Sequence, residues 1–157
     1  MANFSIVLLN PEIPGNTGSI GRTCVALNIP LIIIEPIGFD LSEKAVRRAG
    51  LDYWKYVEIK KYSNFEEFLN KESPTSQNLF FMENHKTQTI YQANFQPGAY
   101  LIFGSETKGI SKEILDIYPN QTYSLPMYSD KIRSLNLSNA ATAVAYECLR
   151  KTEFIIH

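Results

Sequence analysis

The segment from Phe4 to Ile34 constrains the fold most, because it places a helix between two short apolar runs. The run Phe4–Leu9 ends at Asn10-Pro11, which predicts a buried strand followed by a turn. A glycine-bearing loop and a helix are predicted next, with the apolar stripe of the helix formed by Ile20, Cys24, Val25 and Leu27. Pro30 ends this helix, and the β-branched run Leu31–Ile34 predicts a second strand. This β-loop-α-β order predicts a right-handed parallel crossover.

The rest of the chain continues to alternate strands with helices. Apolar runs predict four further strands, at residues 56–60, 79–82, 99–103 and 122–125. Helices are expected near Ser42, at residues 65–69, after Ser111 as an N-cap, and in the second half of residues 125–150. A chain of 157 residues is long enough to bury a core without disulfides or metals. We therefore expect one α/β domain over residues 1–157, with a mostly parallel sheet flanked by helices.

The charge balance argues against a general attraction to nucleic acid. The formal net charge is -1, so any RNA contact must come from a local basic patch. Lys44, Arg47 and Arg48 stand near the aromatic pair Tyr53-Trp54, and basic residues beside stacking surfaces suit single-stranded RNA. The alternative is a solvated helix face with Trp54 in the core.

The chain carries no pattern of a metal site or a secretory signal. Cys24 and Cys148 lie far apart without a C-x-x-C partner, and His85 and His157 form no ligand cluster with them, so we predict no metal. The N-terminus has no basic segment and only a short apolar run, and no run approaches membrane-spanning length. We expect a cytoplasmic protein with no membrane contact.

Gly15, Gly18 and Gly21 follow the first predicted strand, where glycines often help to bind a nucleotide. Their G-x-x-G-x-x-G spacing differs from the dinucleotide pattern G-x-G-x-x-G. No Gly-Lys-Ser/Thr follows to form a phosphate loop. The spacing supports neither dehydrogenase-like nor kinase-like chemistry.

Two later loops lead into helices and hold candidate site residues. In GSETKGIS, residues 104–111, Glu106 lies between two glycines after a strand, where it either accepts a hydrogen bond from a ligand or fixes its own loop. The second loop belongs to LPMYSDKIRSLNLSNAATAVAYECLR, residues 125–150. It carries Ser134, Asn136, Ser138 and Asn139, which are either site residues at a helix N-terminus or ordinary caps, although a helix needs only one cap.

Taken together, three stretches resemble the three signature motifs of the SPOUT superfamily of RNA methyltransferases. They are NPEIPGNTGSIGRTC, LIFGSETKGIS and LPMYSDKIRSLNLSNAATAVAYE. The chain is similar in particular to the small tRNA (cytidine/uridine) 2'-O-methyltransferases that modify the wobble ribose. The resemblance covers nearly the whole chain, including EPIGFD and RRAGLDYW, and it extends to the lack of an added RNA-binding domain.

The resemblance implies a sheet whose C-terminal region forms a deep trefoil knot, a homodimer, and S-adenosylmethionine bound in the knot as the methyl donor. It implies that the cofactor is bound by Met82, Gly104, Leu125 and Ser134. It implies catalytic roles for Asn16, Arg22, Glu106, Ser134 and Asn136, and contacts with the tRNA anticodon stem-loop for Arg48 and Tyr146.

Ribose methylation also requires a group that takes up the hydroxyl proton. Arg22 is the residue that the resemblance favours, but a guanidinium with a pKa above about 12 is a poor base at rest. We assign it to clamping phosphate and stabilising the alkoxide, with Glu106 as the carboxylate alternative. Two other functions compete with wobble methylation, namely 2'-O-methylation of another tRNA or rRNA position and non-catalytic binding of RNA or a nucleotide.

Overall fold

The computed structural model describes residues 2–42, 52–86 and 88–153. Its sheet has six parallel strands in the order β3-β2-β1-β5-β4-β6. The strands are β1 (Phe4–Leu9), β2 (Leu31–Ile34), β3 (Ile59–Tyr62), β4 (Leu79–Met82), β5 (Ala99–Phe103) and β6 (Thr122–Tyr123). The helices are α1 (Pro14–Leu27), α2 (Phe65–Glu72), α3 (Lys112–Ile117) and α4 (Leu137–Thr152). The predicted α/β class and parallel sheet are confirmed.

Two predicted strands have wrong boundaries. Strand β3 spans Ile59–Tyr62 rather than residues 56–60, because residues 54–56 form a 3-10 turn that buries the Trp54 side chain. Strand β6 ends at Tyr123, and Ser124 continues only as an isolated bridge to Thr89. Burial of Trp54 fits the core alternative for this residue. The helix predicted near Ser42, with Lys44, Arg47 and Arg48, falls largely on residues 43–51, which lie outside the described residues.

Helix α1 begins earlier than the sequence predicts, so its glycines lie inside the helix and not in a loop. Pro14 occupies the first turn, where its missing N–H costs nothing. The Tyr53 hydroxyl donates to the Gly18 carbonyl at 2.8 Å. A Cβ at Gly21 would stand 2.7 Å from the Trp54 ring. Gly21 therefore allows Trp54 to pack closely on this helix, and the Gly18 carbonyl binds Tyr53.

Helices cover both faces of the sheet, as its all-apolar central strands require. On one face, α4 packs against α1 and buries Ala141, Val144, Ala145 and Cys148. The Thr23 and Thr142 hydroxyls join these two helices at 2.7 Å. On the other face, α2 and α3 pack on a second core. Within the described ranges, no helix is both long and apolar enough to cross a bilayer.

Candidate active site

A cavity of about 290 Å³ lies at the carboxyl ends of β4, β5 and β6. Its walls come from the last residue of each strand and the residues that follow it, namely 82–84 at β4, 103–106 and 109 at β5, and 123–125 and 127 at β6. Residues 134–137 and the first turns of α4 close it, with Ala140 and Val144 on the inner face of that helix. Parallel strands bring their carboxyl ends to one edge of a sheet, so three loops distant in sequence meet here.

All four residues assigned to the cofactor line this cavity. Met82 and Leu125 are half-buried apolar walls at the ends of β4 and β6, Ser134 belongs to the exposed closing segment, and Gly104 follows β5. A Cβ at Gly104 would overlap the backbone of Gly109 and Ile110. The loop after β5 turns back so tightly that no side chain fits at residue 104, and a glycine is required there whether or not a ligand also approaches it.

Two glutamates join the first loop of the site to the loop after β5. The Glu106 carboxylate accepts the backbone N–H of Glu12 at 2.9 Å and that of Ile13 at 2.7 Å. In return, Glu12 accepts the Thr107 backbone N–H at 3.1 Å and its hydroxyl at 2.7 Å. These bonds from Thr107 hold the pKa of Glu12 below its usual value. The Glu106 carboxylate therefore fixes the loop after β1 against the loop after β5, rather than its own loop alone.

An asparagine pair connects α1 with the N-terminus of α4 inside the cavity. The Asn136 amide nitrogen donates to the Asn16 side-chain oxygen at 3.0 Å, and both residues line the cavity. Asn136 is also the N-cap of α4, since its oxygen accepts the Asn139 N–H at 3.2 Å and the Ser138 hydroxyl at 2.5 Å. One residue thus both caps the helix and contributes to the site. Ser138 and Asn139 belong to this cap.

Arg22 and Tyr146 do not line this cavity. Arg22 is exposed on α1, with its guanidinium carbon 5.4 Å from the centre of the Tyr53 ring, and Tyr146 is exposed on α4. Lys131 and Arg133 are likewise exposed in the closing segment. Arg48 lies outside the described residues. The substrate roles of these side chains therefore stay predictions.

Glu83 is a cavity residue that the sequence analysis missed. It follows Met82 at the end of β4, and its carboxylate accepts the N–H groups of Ile110 and Asn84, each at 3.0 Å. A signal existed in the sequence, because a carboxylate directly after a buried parallel strand stands at the ligand-binding edge of the sheet. The predicted strand at residues 79–82 already ended one residue before it.

Comparison with known proteins matches residues 3–146 to the SpoU rRNA Methylase family. The chain belongs to this family. It is 43% identical over 149 residues to the tRNA (cytidine(34)-2'-O)-methyltransferase of Escherichia coli K12, a match that covers 94% of this chain and 93% of the relative.

Solved structures agree with this assignment. One of them, from work on "the 2-OH methylation of C/U34 on tRNA", has a TM-score of 0.84 and 39% sequence identity. The match covers 94% of this chain and 95% of the chain in that structure. Another, the SpoU methyltransferase AviRb of Streptomyces viridochromogenes with its cofactor AdoMet, has a TM-score of 0.78 and 26% identity. That match covers 96% of this chain and 58% of AviRb. The family and the resemblance drawn from the three motifs are therefore confirmed.

Proposed function

We propose that this protein is an S-adenosylmethionine-dependent tRNA 2'-O-methyltransferase that acts on the wobble nucleotide. Its substrate is the ribose of cytidine or a modified uridine at position 34, in a leucine tRNA. The observation that carries the proposal is one cavity that brings together Met82, Gly104 and Leu125 with the Asn16–Asn136 pair. A cofactor site and a polar pair able to orient an RNA hydroxyl thus share one chamber.

The residues of the cavity fit S-adenosylmethionine. Met82, Leu125 and Val144 provide apolar walls, and backbone groups at the strand ends provide hydrogen-bonding edges for an adenine. When bound, S-adenosylmethionine supplies a sulfonium methyl group for in-line displacement by a ribose hydroxyl. Asn16 and Asn136 hold each other in place, so their remaining amide atoms are oriented before a substrate arrives. Alignment of this kind is worth up to roughly 7 to 11 kcal/mol of the barrier.

The other catalytic assignments follow from where each side chain lies. Glu106 keeps the loop at Glu12 and Ile13 against the cavity and acts by positioning. Ser134 stands at the rim and orients substrate by hydrogen bonding. Arg22, which lies outside its own chain's cavity, serves to clamp an RNA phosphate and stabilise the alkoxide.

The assembly completes the proposal. The C-terminal region is threaded as a deep trefoil knot, a part of the proposal that the resemblance of the three motifs supports. The protein works as a homodimer in the cytoplasm. The exposed positions of Arg22 and Tyr146 on the adjoining helices α1 and α4 support a second copy on this face, where Arg22 completes the partner's site.

The test is transfer of a labelled methyl group to total tRNA from cells that lack this protein, followed by nuclease digestion and mass spectrometry. We expect a 2'-O-methylated wobble nucleotide with the wild type and its loss with Arg22→Ala. Arg150→Ala is the matched control, because this exposed arginine on α4 pairs with Glu147 away from the cavity. Incorporation into ribosomal RNA alone, or into another tRNA position, would refute the proposed target. Cofactor binding without any transfer would favour the non-catalytic alternative.

A further inference from the structure

Three hydrogen bonds hold Glu83 in place at the wall of the cavity. Its backbone N–H donates to the Tyr123 carbonyl at 3.0 Å, which fixes the residue between the ends of β4 and β6. Its two carboxylate oxygens accept one N–H each, from Ile110 and from Asn84, at 3.0 Å. Gly109 has a φ of +67°, and a Cβ there would stand 2.8 Å from a Glu83 oxygen. The backbone thus leaves space for this carboxylate and holds it still.

These contacts do not use up the hydrogen-bonding capacity of the carboxylate. An ionised carboxyl group has about four lone-pair sites, and two N–H donors occupy two of them. In the part of the chain that the structure describes, no Lys, Arg or His forms an ion pair with Glu83. A fixed, unpaired negative charge that lines a cavity favours a ligand with hydrogen-bond donors and repels an anionic one.

The strand order shows which part of a ligand Glu83 faces. Leu125 follows β6 at one side of the cavity, and Asn16 follows β1 at the other. Strands β4 and β5 lie between these two, and Glu83 and Gly104 are the first residues after them. A nucleoside with its base at Leu125 and its reacting end near Asn16 therefore passes Glu83 with its middle part, which is the ribose.

We propose that Glu83 accepts hydrogen bonds from the ribose hydroxyl groups of the bound cofactor and so selects a ribonucleoside ligand. This inference rests on the proposed function, since it assumes S-adenosylmethionine in the cavity. The vicinal hydroxyls offer two donors, and the carboxylate offers the matching acceptors. Hydrogen bonds to a charged group are stronger than neutral ones, so the loss of this contact should weaken binding by roughly 10- to 100-fold.

The experiment is calorimetric titration of the full chain with S-adenosylhomocysteine and with its 2',3'-dideoxy analogue. The two probes differ only in the ribose hydroxyl groups. Neither carries the sulfonium charge, so attraction between that charge and the Glu83 carboxylate does not contribute to either affinity. For the wild type, we expect the dideoxy analogue to bind roughly 10- to 100-fold more weakly. For Glu83→Gln, which keeps one neutral acceptor oxygen, we expect weaker binding of S-adenosylhomocysteine and a smaller difference in affinity between the two probes than in the wild type. Glu66→Gln, an exposed carboxylate on α2, is the control and should leave both affinities unchanged.

The outcomes separate the inference from the proposed function. Equal affinity of the wild type for both probes overturns the role of Glu83 without any variant, so a misfolded Glu83→Gln protein does not decide the question. If Glu83→Gln weakens both probes by the same factor, Glu83 only positions the loop at Ile110, and the proposed contact is wrong. If the folded wild type binds neither probe, the cofactor assignment itself fails.

Discussion

Replacing Glu106 tests whether its carboxylate positions a loop or takes up the proton of the ribose hydroxyl. The structure places both N–H groups of Glu12 and Ile13 on this carboxylate, at 2.9 and 2.7 Å. In Glu106→Gln the amide oxygen can keep both bonds and only the charge is lost. In Glu106→Ala both donors lose their acceptor. The two variants therefore probe charge and position separately.

The expected magnitudes follow from these two bonds. Changing a charged acceptor to a neutral one reduces each bond modestly, so Glu106→Gln should lower the free energy of unfolding by about 1 kcal/mol. In Glu106→Ala, the backbone N–H of the exposed Ile13 can form a hydrogen bond with water instead. The backbone N–H of the half-buried Glu12 has less access to water and is harder to pair. The cost of leaving such a donor unpaired is about 1–3 kcal/mol, and we expect a total near 2 kcal/mol. Methyl transfer should fall less than about tenfold in Glu106→Gln, because the loop stays in place.

Urea unfolding and single-turnover methyl transfer on the same preparations check these values. General acid–base catalysis contributes about 10²- to 10⁴-fold, so a true proton acceptor would show itself clearly. If Glu106→Gln keeps its stability and its affinity for the cofactor but loses methyl transfer by about 100-fold or more, the positioning role is refuted. Glu113→Gln, an exposed glutamate on α3, serves as the control for the loss of one carboxylate.

Three further predictions concern the stability of the fold. Gly104→Ala should lower the free energy of unfolding by about 3 kcal/mol, since its Cβ would overlap the backbone of Gly109 and Ile110. Gly15→Ala, where nothing lies within 4 Å, should leave stability unchanged or raise it slightly in the same denaturation assay. The third prediction concerns alkaline pH. Burial and the Glu72 carboxylate raise the pKa of Tyr62 and Tyr100 to about 12. Because these folded pKa values exceed the unfolded ones near 10, their stabilisation is complete below pH 10 and is lost as the pH rises to about 12. Unfolding free energies measured across this range should fall, and less steeply in Tyr100→Phe.

The sequence predicted the sheet because its strands are apolar runs with clear turn signals. β1, β2, β4 and β5 fall on their predicted residues. β3 was predicted to begin at Tyr56 because Tyr56 and Val57 are residue types that favour strands, while residues 54–56 form a turn that places Trp54 on α1. The start of α1 was also misplaced, since Gly21 lies inside the helix and makes room for Trp54, which no local signal reveals.

The candidate site was predicted mainly through the resemblance of three ordered motifs. Residue types alone left Glu106 undecided between ligand and loop, and only the bonds to Glu12 and Ile13 show what its carboxylate touches. Residue types also left Asn136 undecided between cap and site; the structure shows that it caps α4 and lines the cavity. Such partners are long-range, so neither periodicity nor propensity could have identified them.

The long reach of these contacts has a consequence for biosynthesis. The Glu106 carboxylate bonds to a residue 94 positions earlier, and Asn136 bonds to one 120 positions earlier. While the ribosome is still making the chain, β1 and α1 emerge without the segments that complete their half of the cavity. No nascent chain that ends before Asn136 can assemble the cavity, so the cavity is complete only when α4 packs against α1.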